Sequence, residues 1–241
     1  GMSDPRSFKI VGHRGFPELY PENSLTGLEK AAELGADAVE FDVQMSADQV
    51  PMVFHDETLD RVTDASGSFF DYSSEQLSKI SCHEPARFGD SHFPEPIATL
   101  ETVCRALGAY DCHVFVELKI QSLNHFGRDA MLQQVLQCVR PIASRVSLIS
   151  FDYNVLLKAK KLGVKSVGWV LSEYDEESLK KAQELEPEFL ISDIKKLSGD
   201  QCVWPGSWRW FVYDVVDAEL AEHCVARGID YIETWNLAAL K

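Results

Sequence analysis

No apolar run in the 241 residues approaches the ~18–20 residues of a membrane-spanning helix, so no membrane insertion by a helix is expected. The N-terminus also lacks the basic and apolar regions of a signal peptide. With Met2 as the natural start this predicts a cytoplasmic protein, although a leader already removed would leave no trace. Cations are scarce: 23 Lys and Arg stand against 38 Asp and Glu, for a net charge of −15. That balance argues against nucleic acid or an anionic membrane as partner, since both call for positive potential. An anionic substrate must therefore be met by a few local cations or by a metal ion. The six cysteines (Cys82, Cys104, Cys112, Cys138, Cys202, Cys224) form no C-x-x-C pair, which excludes the usual zinc or disulfide frameworks and leaves reduced thiols. There is no low-complexity linker and no legible second core. The chain, 45% hydrophobic, reads as one domain over 1–241.

What the sequence does contain is alternation. Strand-like runs at 8–13, 37–43, 113–119, 146–151, 165–171, 188–193, 209–213 and 230–234 are separated by helix-like or helix-sized segments. The helical stretches space apolar residues at about 3.6, as in Leu25/Leu28/Ala32, Leu132/Val135/Leu136/Val139 and Val155/Leu156/Ala159/Leu162. Three helices exit through "LGADAVEF", "LGVKSVGW" and "RGIDYIET", where Gly35, Gly163 and Gly228 suit the left-handed residue after a helix. Eight strands in this rhythm pair in parallel and close most simply into a (β/α)8 TIM barrel. One interval breaks the pattern. "VPMVFHD" (50–56) follows the second strand too closely for a parallel crossover, so it reads as a hairpin arm opening an insertion over about 44–98. An insertion after a strand lies on the C-terminal face of a barrel, where active sites are built.

Two stretches carry candidate chemistry. The first strand ends on His13 and Arg14, and "AVEFDV" sets Glu40 and Asp42 into an otherwise apolar strand. Alternation puts Val39, Phe41 and Val43 on one face and the two acids on the other; the same parity groups Phe115, Glu117 and Lys119 in "HVFVELK". If the apolar sets pack on the outer helices, three carboxylates converge in the barrel mouth. Such a set suits one hard divalent cation, Mg2+ or Ca2+, held through oxygen. The other reading pairs the acids with Arg14 and Lys119 in a structural network. His13 and His55, at the ends of strand one and the hairpin arm, offer two imidazoles for one general acid and one general base. Arg14 and Lys119 offer cationic contacts to a phosphate. His83, His92, His113, His125 and His223 have no comparable setting. Asp56 and Asp60 read as braces of the hairpin, with Asp56 also placed to orient His55.

"GHRGFPELYPENS", "GADAVEFDVQMSADQVPMVFHDETLDRVTDASG" and "VFVELK" together resemble the glycerophosphodiester phosphodiesterase family. The likeness rests on its H-R-G…P-E-N opening, its E-x-D…H-D block and its E-x-K strand. It is dense through the N-terminal half and looser later, through "SFD", "VGWVL" and the final Gly–x–Asp strand. The resemblance implies metal-dependent hydrolysis of a small-molecule glycerophosphodiester to glycerol 3-phosphate and an alcohol. It implies His13 and His55 as the acid/base pair, Glu40, Asp42 and Glu117 as metal ligands, and Arg14 and Lys119 as phosphate contacts. Glu22 would help hold His13 or Arg14, and Asn23 reads as an N-cap for the helix starting near Ser24.

The closing strands depart from the family pattern: "FVYD" (211–214) and "IETW" (232–235) put Trp235 where an Asp is usual. These positions border the mouth, so the departures bear on the alcohol, and broad tolerance of head groups is expected. Trp169, Phe211 and Trp235, with Trp210, are candidates for an aromatic wall around a choline-like cation, against plain core packing. Two other functions stay open on sequence: a metal-dependent barrel isomerase or aldolase on a phosphosugar, and a barrel that binds phosphodiesters without turning them over. The oligomeric state is open too, a homodimer included.

Overall fold

The computed structural model describes residues 7–240. Eight parallel strands form its centre: β1 (Lys9–His13), β2 (Ala38–Met45), β4 (His113–Leu118), β5 (Val146–Ser150), β6 (Val167–Val170), β7 (Phe189–Asp193), β8 (Arg209–Tyr213) and β9 (Tyr231–Thr234). Each pairs with its neighbour, and β9 and β2 both pair with β1, which closes the TIM barrel. The short β3 (Pro51–Val53) runs antiparallel to the end of β2, as the short Val43-to-Val50 interval requires. Register sets His13 beside Glu40, and Asp42 beside Glu117.

The parity argument carries over to packing. Val39, Phe41 and Val43 join the core between barrel and helices, whereas Ala38, Phe115, Ile149, Val170, Ile191 and Phe211 fill the barrel interior. The outer layer comprises α1 (Leu25–Glu33), α4 (Leu100–Leu107), α5 (Ile120–Phe126), α6 (Arg128–Val139), α7 (Tyr153–Lys161), α8 (Glu176–Leu185), α9 (Ala218–Ala226) and the final turn α10 (Leu237–Leu240); the short helices α2 (Ser74–Leu77) and α3 (Pro85–Phe88) belong to the insertion. Side-chain oxygens of Ser24, Thr99, Asp152, Asp175 and Asp217 cap α1, α4, α7, α8 and α9, satisfying N–H groups that the helices leave open. The cap of α1 is thus Ser24 and not Asn23. Asn23 takes a left-handed backbone (φ 57°) and turns its side chain elsewhere. Gly35, Gly163 and Gly228 have the positive φ expected after a helix.

Two features differ from the sequence expectation. The insertion has a small core of its own, built from Met52, Phe54, Leu59, Val62, Phe69, Leu77, Cys82 and Ile97. Its apolar residues are scattered over irregular chain, so no period marks them as a core. Between β7 and β8 the described chain makes only a 3-10 turn, Ile194–Lys196, where other crossovers have a helix. Trp204, stacked on Tyr174 at 4.0 Å, and Trp210 cover the barrel there, and Trp210 and Trp208 both donate to the Trp204 carbonyl. Trp210 therefore packs outside the barrel, away from the mouth.

Candidate active site

The turn after β1 explains why a strand ends on two cationic side chains. Gly15 (φ 100°) lies against the backbone of Gly27 in α1, and a Cβ there would come 2.9 Å from a backbone carbon. A Cβ on Gly12 would lie 2.5 Å from the Gly15 carbonyl oxygen. The glycines let the chain fold back tightly, and Arg14 (φ 52°) accepts the Asn23 N–H at its carbonyl. His13 and Arg14 are thereby held over the barrel mouth.

They line a cavity of about 200 Å3 together with Glu40, Asp42, His55, Glu117, Lys119 and Glu233. Ile149, Phe151, Val170, Ile191, Phe211 and Tyr213 form its other wall. The site is two-sided: charges come from β1, β2, β4, β9 and the hairpin, and apolar groups from β5 to β8. Among the predicted pocket aromatics, Phe211 is on this wall. Trp235 stacks on the His13 ring at 4.7 Å, lies 5.6 Å from the Arg14 guanidinium and donates to Asp214. Trp169 is not at the mouth. It packs in the outer layer on Tyr153 and donates to the Phe151 carbonyl, because its parity on β6 is the opposite of Val170.

Every charged group lining the cavity except Glu40 has a named partner. Asn23 donates through Nδ2 to Asp42 Oδ2 at 3.1 Å and accepts the Asp42 N–H at 3.2 Å. Arg14 donates to Glu22 at 3.0 Å, and its Nε lies 3.2 Å from Asp42 Oδ2. Glu22 also takes two bonds from Arg61, at 2.6 and 2.9 Å. Arg61 donates to both oxygens of Asp56, at 2.9 and 3.0 Å, and Asp56 Oδ1 is 2.7 Å from His55 Nδ1. Lys119 Nζ lies 3.1 Å from Glu117 and 3.5 Å from His55 Nε2. Across the mouth, His13 Nδ1 is 2.5 Å from Glu233 Oε1. Asp60 accepts the Gly67 N–H within the insertion.

Burial and charge set the acids apart. Burial, then Glu233 and Asp42, push the Glu40 carboxyl well above the usual carboxylate range. Burial and Asp42 raise Glu117, although Lys119 opposes them. Burial would raise Asp42 as well, but Arg14, His55 and Lys119 outweigh it and hold Asp42 low. Glu22 is likewise held low by Arg61 and Arg14 against the cost of burial. Ligand atoms of Glu40, Asp42 and Glu117 lie within 4.8 Å of one another, as do those of His13, Glu40 and Glu233. Glu40 Oε1 is buried without a protein partner. Clustered carboxylates, one with an oxygen that no protein donor serves, are a donor set that fits a hard divalent cation.

On sequence Arg61 has no role, and Glu233 stands only among the departing positions that bear on the alcohol. Glu233 carries the same signal as Glu40, an acid on the inward parity of an otherwise apolar strand. Arg61 sits on irregular chain, where no period shows which way a side chain turns.

Fold and site together define a parallel barrel with an acidic, two-histidine mouth that also holds Arg14 and Lys119. The chain belongs to the glycerophosphoryl diester phosphodiesterase family, whose model matches residues 13–193. A glycerophosphodiester phosphodiesterase of Caldanaerobacter subterraneus is 33% identical over 153 residues, 64% of this chain and 62% of that protein. Glycerophosphodiester phosphodiesterase 1 of Homo sapiens is 34% identical over 110 residues, 45% of this chain and 33% of that protein. The chain thus spans less than two thirds of the length of these curated relatives. Among solved structures, an Oleispira antarctica phosphodiesterase in complex with the product sn-glycerol-3-phosphate has a TM-score of 0.81 at 21% identity, covering 94% of this chain and 92% of that one. A glycerophosphodiester phosphodiesterase of Thermotoga maritima has a TM-score of 0.69 at 22% identity, covering 96% of each chain. No helix among the described residues is long and apolar enough to cross a membrane.

Proposed function

We propose that this protein hydrolyses glycerophosphodiesters to glycerol 3-phosphate and an alcohol. The observation that carries the reading is the pairing of His13 and His55 in one cavity with Arg14 and Lys119, each imidazole held at Nδ1 by a carboxylate. That arrangement leaves Nε2 of each ring facing the site for proton transfer, His13 Nε2 without a protein partner and His55 Nε2 3.5 Å from Lys119 Nζ. Membership of the family and the phosphodiesterase names of its relatives point the same way.

Arg14 and Lys119 bind the phosphoryl oxygens and offset their charge. One imidazole takes a proton from the attacking hydroxyl, either water or the neighbouring glycerol hydroxyl by way of a cyclic phosphate. The new P–O bond forms as the ester P–O bond to the alcohol breaks. The other imidazole gives its proton to the departing alkoxide, so the alcohol leaves neutral. On the cyclic route water then attacks phosphorus, the two imidazoles exchange roles, and the ring P–O bond to the glycerol hydroxyl breaks to give glycerol 3-phosphate. Glu40, Asp42 and Glu117 would hold a divalent cation, Mg2+ or Ca2+, which when bound supplies Lewis-acid stabilisation of phosphoryl charge. The hairpin and insertion work with the barrel as one unit, because His55 and Asp56 come from them.

The test is a panel of glycerophosphodiesters assayed with and without chelator, with products identified by mass. Release of alcohol and glycerol 3-phosphate, lost on chelation, is expected. His13→Ala and His55→Ala should each lower kcat by at least about 10²-fold, the lower end for general acid–base catalysis. Isomerised or carbon-cleaved products, or phosphodiester binding without turnover, would overturn the reading. Near-normal kcat in His55→Ala would make the hairpin histidine structural.

A further inference from the structure

We propose that Glu233 is the positioning residue of His13, the carboxylate that fixes which ring nitrogen of His13 handles the proton. The inference deepens the hydrolase reading of the same cavity and rests on it.

Glu233 lies on the last barrel strand, in register with Val11, so closure of the barrel brings it to the end of β1. Both residues are buried, with His13 8% and Glu233 3% exposed. The 2.5 Å contact of Oε1 with Nδ1 is among the shortest polar contacts in the site. An ionised carboxylate only accepts hydrogen bonds. In a neutral imidazole it therefore keeps the hydrogen on Nδ1 and the lone pair on Nε2, the nitrogen that has no protein partner. Trp235, two residues further along, stacks on the same ring at an interplanar angle of 22°. The last strand thus fixes the imidazole both at its edge and on its face. Across the cavity His55 has the same support in Asp56. Asp56 is in turn tied to Arg61, whereas the ion pair of Glu233 among the described residues is with His13 itself. Among the described residues no Arg or Lys forms an ion pair with Glu233, whose other neighbour is the Glu40 carboxyl, so His13 is the cationic partner that it serves.

Holding a ring and its tautomer is a large effect where the ring moves a proton. Loss of such a carboxylate costs between about 10- and 10⁴-fold across known sites. The experiment compares wild type with Glu233→Gln, Glu233→Ala and Glu233→Asp. Steady-state kinetics on a choline-type glycerophosphodiester are paired with NMR of ¹⁵N-histidine-labelled protein, the His13 signals being identified by their loss in His13→Ala. The expected result is a kcat lowered about 10²-fold in the Gln and Ala variants with KM within about threefold, and partial recovery in Glu233→Asp. The His13 Nδ1–H resonance should shift or vanish in Gln and Ala and return in Asp. Glutamine keeps the volume of the site, and thermal unfolding checks that each variant is folded.

A kcat within about twofold of wild type in both Gln and Ala variants would overturn the proposal. So would an unchanged His13 resonance accompanied by loss of cation affinity in calorimetry, which would make Glu233 a cation ligand. A wild-type protein that cleaves no diester overturns the hydrolase reading alone, and the NMR comparison then still decides whether Glu233 holds His13.

Discussion

Asn23 and Asp42 clasp each other through two hydrogen bonds, side-chain amide to carboxylate at 3.1 Å and backbone N–H to amide oxygen at 3.2 Å. The clasp joins the turn after β1 to the middle of β2 and fixes the carboxylate plane of Asp42, a proposed cation ligand. Asn23→Ala removes both bonds and frees that carboxylate to rotate. The dissociation constant for a divalent cation, by calorimetry, is expected to rise about 10- to 100-fold, as when other partners of metal ligands are lost. Unchanged affinity would mean that Asp42 is held by Arg14 alone.

Much of this was legible in the sequence, for physical reasons. The strand period of two placed Glu40, Asp42 and Glu117 inward without help, because the apolar residues between them had a helix layer to meet. Loop lengths made β3 a hairpin arm. What parity could not show is where a side chain goes once the strand ends. Asn23 had the right type for a helix cap, yet Ser24 took the cap and Asn23 took Asp42. Trp169 was read by residue type, and its parity on β6 turns it outward to Tyr153. Glu233 stands on the last strand beside the more conspicuous Trp235, and only closure of the barrel brings strands from opposite ends of the chain together.

Glu40 sets the sign of a pH effect. Burial and the neighbouring acids raise its carboxyl above the range of an unfolded chain. Its contribution to stability is therefore full below the unfolded carboxylate pKa, about 4.3, and is lost as pH rises through the folded value. At neutral pH an ionised Glu40 opposes folding unless a cation is bound. Chelator-treated protein should gain Tm as pH falls from 7 towards the carboxylate range, and Mg2+ or Ca2+ should raise Tm at pH 7. Glu40→Gln should raise the Tm of the chelated protein and abolish most of the cation-induced rise. A Glu40→Gln protein less stable than wild type under chelation would remove the electrostatic argument.

Arg61 ties the support of one cationic group to that of one histidine. It holds Glu22, which holds Arg14, and it holds Asp56, which meets His55. Arg61→Ala leaves Glu22 buried beside Arg14 alone and loosens His55. We expect kcat/KM to fall roughly tenfold, the size of effect seen when a supporting partner is lost. The stability effect has a defined sign. His55 and Arg61 hold Asp56 below the usual carboxylate range against burial, and Arg61 and Arg14 do so for Glu22. Depressed carboxylates contribute stability above the unfolded pKa and lose it as pH falls through the folded one. The Tm gap between wild type and Arg61→Ala should be widest near neutrality and narrow towards pH 3. A gap independent of pH would assign the loss to packing.

The apolar wall bears on which alcohol is accepted. Charged groups gather on the β1–β2–β4–β9 side of the cavity, while β5 to β8 present Ile149, Phe151, Val170, Ile191 and Phe211. Apart from Tyr213, whose hydroxyl is on the same wall, these side chains offer no hydrogen bond, so a choline, ethanolamine or glycerol leaving group meets much the same surface. The tight grip falls on the phosphate. Discrimination then comes from small differences in apolar contact, and kcat/KM for the three diesters should agree within about one order of magnitude, roughly 1.4 kcal/mol. Trp235 has a different place in this scheme from the one its position in the sequence suggested. Its ring lies on His13 and near Arg14, so removing it disturbs a reacting group more than a leaving-group contact. Trp235→Ala should lower kcat by about tenfold or more for all three diesters and leave their ranking unchanged. Phe151→Ala, at the half-open rim, should shift KM for all three by a common factor. A preference above about 100-fold for one diester in wild type would overturn this account and point to a specific polar contact, the Tyr213 hydroxyl being the candidate on this wall. If instead Trp235→Ala reorders the substrates with kcat intact, the indole belongs to the leaving-group site and not to His13.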